Sequence, residues 1–91
     1  MLIFMINIDE LKKKIIYRSN YRGTKEMDKV LGAFVKKYIN DLSDDDLVKL
    51  EKLLNIDDSN LYKFLNGLET DFIFEKNNVT DLFKNFDYVE K

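Results

Sequence analysis

The chain contains no cysteine, no histidine and no proline, and only three glycines in 91 residues. Each absence removes a class of answer. Without cysteine there is no disulfide framework, and a reducing compartment, the cytoplasm, fits better than secretion. Without histidine the commonest general base, the commonest metal ligand and the near-neutral pH switch are all missing. Together the two absences exclude zinc sites of the usual kinds and the Ser-His-Asp and Cys-His nucleophile sets. No GxGxxG or GxxxxGK[ST] phosphate loop occurs, and no EF-hand spacing. An enzyme would have to work with Lys, Tyr, Asp or Glu alone, so a non-catalytic role is expected. The lack of proline and the scarcity of glycine favour helices over a turn-rich β fold.

What is present is a folding composition: 45% hydrophobic and 13% aromatic, with seven Phe and five Tyr. A chain of this length makes one small domain that hides roughly 60% of the surface it exposes when unfolded, so its core must be efficient. The net charge of −2, from 15 basic and 17 acidic residues, gives no global field that would steer it to nucleic acid. The basic residues Lys12, Lys13, Lys14, Arg18 and Arg22 do cluster locally. Such runs ordinarily form a solvated helix face. The competing reading is a small nucleic-acid-binding or regulatory domain, which would show salt-dependent binding to DNA or RNA. Met1 to Ile6 is apolar but far short of the roughly 20 residues that span a bilayer, and it lacks a basic flank and a cleavage site. It reads as an N-terminal extension over 1–6 without membrane insertion. Met5 is a second candidate start.

Residues 7–90 read as a single all-α domain, a compact five-helix bundle. Asn7 followed by Glu10 has capping-box spacing, and Ile8, Leu11, Ile15 and Ile16 share a face of a helix from about Ile8 to Ser19. Met27, Val30, Leu31, Phe34, Val35, Tyr38, Ile39 and Leu42 keep the helical period over four turns. Gly32 lies inside that helix at a cost of ~1 kcal/mol relative to Ala, which close helix packing would explain. Ser43 caps a third helix whose first turn is Asp44-Asp45-Asp46 and whose stripe is Leu47, Leu50, Leu53 and Leu54. The three acids suit the helix dipole and need no metal to explain them. Asp58 is the expected cap of a fourth helix carrying Leu61, Phe64, Leu65 and Leu68, with Gly67 at its C-terminal end. Asp71 to Asn78 is irregular, with Phe72, Ile73 and Phe74 positioned to pin it to the core. A last helix follows Asn78 and carries Val79, Leu82, Phe83, Phe86 and Val89.

The polar potential concentrates between the first two helices, in Tyr21-Arg22-Gly23-Thr24-Lys25-Glu26. One reading is local: Gly23 ends a helix, Glu26 meets the amides of the next first turn, and Arg22 is solvated. The other is a docking corner: Gly23 permits close approach, Arg22 offers its planar fork to a partner carboxylate, and Glu26 offers the opposite charge. A rigid helix end can serve both.

Tyr17-Arg18-Ser19, then Arg22-Gly23-x-x-Glu26-x-Asp28, then Leu31-Gly32-x-Phe34 resembles the succinate dehydrogenase assembly factors, the small flavinylation factors called SdhE in bacteria. The likeness continues through Leu42-Ser43-Asp44, Leu53-Leu54, Asp57-Asp58 and Leu61-Tyr62-Lys63-Phe64-Leu65, covering roughly residues 11 to 68. The ordered set is specific where Arg-Gly-x-x-Glu alone would be weak. The resemblance implies a monomeric five-helix bundle that promotes covalent FAD attachment to the flavoprotein subunit of succinate dehydrogenase, and in some bacteria of fumarate reductase. It implies a partner surface of Arg18, Tyr21, Arg22, Gly23, Glu26 and Asp28. Tyr21 departs from the family's usual Arg at that position, though a tyrosine still stacks and donates a hydrogen bond. With no phosphate cradle, the chain is expected to bind no cofactor tightly itself; the FAD belongs to the client.

Overall fold

Side-chain caps divide the chain. The structure, a computed structural model, describes residues 7–86, with helices α1 (Ile8–Asn20), α2 (Lys25–Tyr38), α3 (Asp44–Leu54), α4 (Asp58–Leu65) and α5 (Asn78–Lys84). No strand occurs among the described residues. The expected all-α, five-helix architecture is what forms. The radius of gyration, 13.0 Å, is that of a compact domain of about this size. The N-terminal extension 1–6 and the continuation of the last helix to Val89 lie outside the described residues.

Asn7, Thr24, Ser43, Asp57 and Asn77 each hold extended backbone before a helix and accept a first-turn amide on the side chain. Two of these positions correct the sequence reading by one residue. Asp57, not Asp58, caps α4, because Asp57 takes the extended conformation (φ −67°, ψ 154°) and its carboxylate reaches Asn60 N at 3.2 Å. Asp58 thereby sits in the first turn, free to make tertiary contacts. Asn77, not Asn78, caps α5, in a reciprocal box where Thr80 Oγ1 accepts Asn77 N at 2.9 Å. At α1 the Glu10 amide donates to Asn7 Oδ1 at 3.2 Å. α2 ends at Tyr38, short of Leu42, as the backbone enters the turn that leads to Ser43. Ile39 and Leu42 still pack on the core from that turn.

The Asp57 cap has a pH consequence. Its carboxyl is held below the ordinary range, first by the Asn60 side-chain amide (2.8 Å) and then by the Asn60 backbone amide. A depressed folded-state pKa stabilises the fold above the unfolded value of about 3.9, and that contribution disappears as pH falls through the folded value. Asn is an equally good cap with no charge to lose. Asp57→Asn is therefore expected to leave the neutral-pH melting temperature nearly unchanged and to make the loss of stability below about pH 4 shallower. Parallel acid limbs for the two proteins would contradict this.

α1 and α2 run antiparallel, since Lys12 Nζ reaches Asn40 Oδ1 (3.4 Å) at one end and Asn20 meets Gly32 at the other. α1 also packs on α3, and α5 closes the bundle against α3 and α4. Ile15, Leu31, Phe34, Leu47, Leu50, Leu61, Val79 and Phe83 are completely buried. Phe34 lies at the centre, edge-on to both Phe83 and Phe86 with ring centroids 5.3 Å apart. Three apolar expectations are corrected. Ile16 faces outward, one position beyond the α1 stripe. Leu68 follows the end of α4 and is exposed. Of Phe72, Ile73 and Phe74 only Phe74 pins its segment, by stacking on Phe64 at 4.0 Å; Ile73 is 92% exposed.

Gly32, inside α2, lies against the Asn20 side chain at the end of α1. A Cβ built there would lie 2.8 Å from Asn20 Oδ1. The obstacle is the tip of one exposed side chain, itself held by a bond from Asn20 Nδ2 to the Ile16 carbonyl at 2.9 Å. Removing that tip should release the helix-propensity gain of about 1 kcal/mol for Gly→Ala. Gly32→Ala is expected to raise the melting temperature by several degrees more in an Asn20→Ala background than in the wild type. Equal shifts in both backgrounds would count against this contact as the reason for glycine.

Candidate functional site

The break between α1 and α2 is built by residues that tie it down from four sides. Gly23 has φ +108°, a backbone conformation that L side chains rarely adopt, and it turns the chain from the end of α1 into the Thr24 cap. Arg22, just before it, points inward. Its side chain is only 10% exposed. Nε donates to Asp58 Oδ1 at 2.8 Å, Nη2 to the Ile56 carbonyl at 2.6 Å, and Nη1 to the Leu54 carbonyl. Leu54 is the last residue of α3 and Ile56 follows it by two, at the end of the helix where carbonyls are left without helical partners and the dipole favours a cation. A guanidinium is suited to this place because its planar fork meets three acceptors at once.

The network extends further. Arg22 N donates to Asp28 Oδ1 at 2.5 Å, which fastens the loop to the first turn of α2. Thr24 Oγ1 donates to the second oxygen of Asp58 at 3.1 Å while accepting Met27 N at 3.4 Å. Asp58 thus joins the loop, the start of α2, the end of α3 and the start of α4. This corrects both expectations for Arg22: the group is neither solvated nor offering its fork outward. Asp28 likewise serves the loop from its own helix.

The remaining expected residues are at the surface. Tyr21 is 71% exposed, Gly23 and Glu26 are exposed, and Arg18 is half-buried in the last turn of α1. No ion pair to Glu26 forms among the described residues. Beside them is a feature the sequence reading did not single out: Tyr17, 65% exposed, lies against Tyr21 with centroids 4.7 Å apart. The i, i+4 spacing of two tyrosines on a polar face was the available signal. The role of Asp58 was also missed, because its partner Arg22 is 36 residues away in sequence. The basic cluster on α1 is partly spent on internal contacts, with Lys14 paired to Glu51 at 2.7 Å and Lys12 bonded to Asn40. Among the described residues no group of three or more carboxylates is placed to hold a metal, and no helix is long and apolar enough to cross a membrane.

Tyr21 and Glu26 are thus exposed around a positive-φ glycine whose loop is braced by the largely buried Arg22–Asp58 pair. Residues 13–87 match the family described as "Flavinator of succinate dehydrogenase". The chain belongs to that family. Among curated relatives, the chain is 34% identical to succinate dehydrogenase assembly factor 2, mitochondrial, of Arabidopsis thaliana over 56 residues, 62% of this chain and 30% of that protein. It is 37% identical to the protein of the same name from Scheffersomyces stipitis over 54 residues, 58% and 36% of the two chains. With the Drosophila virilis protein the identity is 39% over 44 residues, 48% and 28%. The matched stretch therefore spans about a third of each of these relatives. No solved structure matches the chain. Family membership and the five-helix fold agree with the resemblance carried by Arg22-Gly23-x-x-Glu26 and the residues around it.

Proposed function

We propose that this protein is an assembly factor that grips the flavoprotein subunit of succinate dehydrogenase, and where present that of fumarate reductase, and promotes covalent attachment of its FAD. The observation that carries the reading is the corner of Tyr21, Gly23 and Glu26, exposed yet held rigid by the Arg22–Asp58 network, in a chain of the flavinator family. Arg18 borders the corner; Arg22 and Asp28 contribute by fixing the loop. The protein makes no bond itself. Its lack of histidine and cysteine leaves it without the usual nucleophiles and general base. The flavin, and the histidine that takes it, belong to the client.

What the helper supplies is arrangement. Holding reacting groups in place can lower a barrier by several kcal/mol, up to roughly 7–11 in the best cases. A clamp that keeps the FAD-binding and capping parts of a partly folded client in a reactive geometry therefore needs no catalytic residue. The protein works on this reading as a monomer in the cytoplasm, with neither nucleic acid nor a membrane as partner. The direct test is size-exclusion chromatography of the purified chain with the apo flavoprotein subunit. A one-to-one complex with a monomeric chain is expected; separate elution at micromolar concentrations of both would contradict the proposal.

A further inference from the structure

Glu26 belongs to two surfaces. On one side is the Gly23 corner. On the other it lines a cleft of about 310 Å³ formed by α2, α4 and the residues just after α5, together with Met27, Val30, Tyr62, Leu65, Asn66 and Phe86. That volume is at the bottom of the range for small-molecule pockets, and so fits one long side chain better than a cofactor. Met27, Val30, Leu65 and Phe86 bring apolar side chains to it, its exposed surface is nonetheless more polar than apolar, and Glu26 is the one charged residue lining it among the described residues. The Glu26 carboxylate has no cation paired to it among the described residues. Asn66 donates its side-chain amide to the Tyr62 carbonyl at 2.8 Å, so its remaining polar atom, Oδ1, is an acceptor. Tyr62 also lines the cleft and is 42% exposed.

A carboxylate without a cation among the described residues, an amide acceptor, an exposed tyrosine and several apolar side chains have one complementary group: a cation on a long apolar stem. Between the two candidates, arginine matches better. Its guanidinium bonds a carboxylate in two places and stacks on tyrosine, and it gives up its hydration more readily than an ammonium. We infer that the Glu26–Tyr62 cleft receives an arginine side chain of the flavoprotein client. This rests on the proposed function and deepens it: the corner sets the approach, and the cleft captures a specific residue type.

The test is the dissociation constant for the apo flavoprotein subunit, measured for four full-length variants at low and high salt. Glu26→Gln keeps the shape and removes the charge; it should weaken binding about tenfold at low salt, with the gap to wild type narrowing as salt rises. Tyr62→Leu should weaken binding severalfold, and Tyr62→Phe, which keeps the ring, should bind like wild type. Gly23→Arg tests the underlying docking site independently. If Gly23→Arg abolishes binding while Glu26→Gln binds like wild type, the arginine subsite is wrong and the docking reading stands. A Glu26→Gln deficit of equal size at both salt concentrations also overturns it, since a neutral donor would then be the ligand. If all four variants bind like wild type, both the subsite and the docking reading fail.

Discussion

Gly23→Arg is expected to reduce covalent flavin on the client to the level seen without the protein, while the variant itself stays folded. Two effects combine at this residue. The backbone at φ +108° tolerates an L side chain at a cost of about 1–3 kcal/mol, which lowers the melting temperature by roughly 4–24 °C without unfolding a well-packed domain at working temperature. The new side chain meets nothing, because no heavy atom lies within 4 Å of a Cβ built there. It therefore projects into the space a partner would occupy. Gly23→Ala separates the two effects: it carries most of the backbone strain and almost none of the bulk. It should melt nearly as low as Gly23→Arg but retain most of the flavinylation, read by in-gel flavin fluorescence of the client. Full flavinylation by a folded Gly23→Arg protein would contradict the assignment of this corner.

The second large effect is expected at Arg22. Arg22→Ala strands the Asp58 carboxylate and the Leu54 and Ile56 carbonyls in a largely buried place. Removing one partner of a buried ion pair costs about 3–5 kcal/mol, and the partial exposure of Asp58 puts this pair at the lower end. For a domain of this size that is a fall in melting temperature of roughly 12 °C or more. Arg22→Lys keeps the charge but cannot reach three acceptors with one nitrogen, so much of the loss should persist. Asp58→Asn should show a smaller loss, and a double-mutant cycle with Arg22 should give a coupling of about 1–3 kcal/mol. In client binding, Arg22→Ala should regain affinity at low temperature, where the loop refolds, whereas Gly23→Arg should not. An unchanged melting temperature for Arg22→Ala, or additivity with Asp58→Asn, would show that the bracing network does not carry the loop.

Much of the fold was legible because its signals are local. The period of Met27 to Tyr38, the Ser43 cap and the leucine stripe of α3 each depend on residues within a few turns of one another. The misreadings fall where two neighbours compete for one role or where the outcome is tertiary. Asp57 and Asp58 are equally good caps by composition, and the choice follows from Asp58 being claimed by Arg22 and Thr24. Ile73 and Phe74 look alike in sequence, but only Phe74 finds a ring to stack on. The site divides in the same way. That Tyr21, Gly23 and Glu26 reach the surface was readable from their place between two amphipathic helices. That Arg22 turns inward was not, because its acceptors come from residues 54 to 58, and nothing near Arg22 in sequence marks them.

On the proposed function, a braced glycine corner arranges the client's own chemistry. This is tested most directly by mixing the apo flavoprotein subunit with FAD, with and without the purified chain in molar excess, and following covalent flavin fluorescence over time. The expected result is a markedly faster rise to full incorporation when the chain is present, with Gly23→Arg giving the rate of the chain-free reaction. Identical time courses with and without wild-type protein, under conditions where the two chains form a complex, would contradict it.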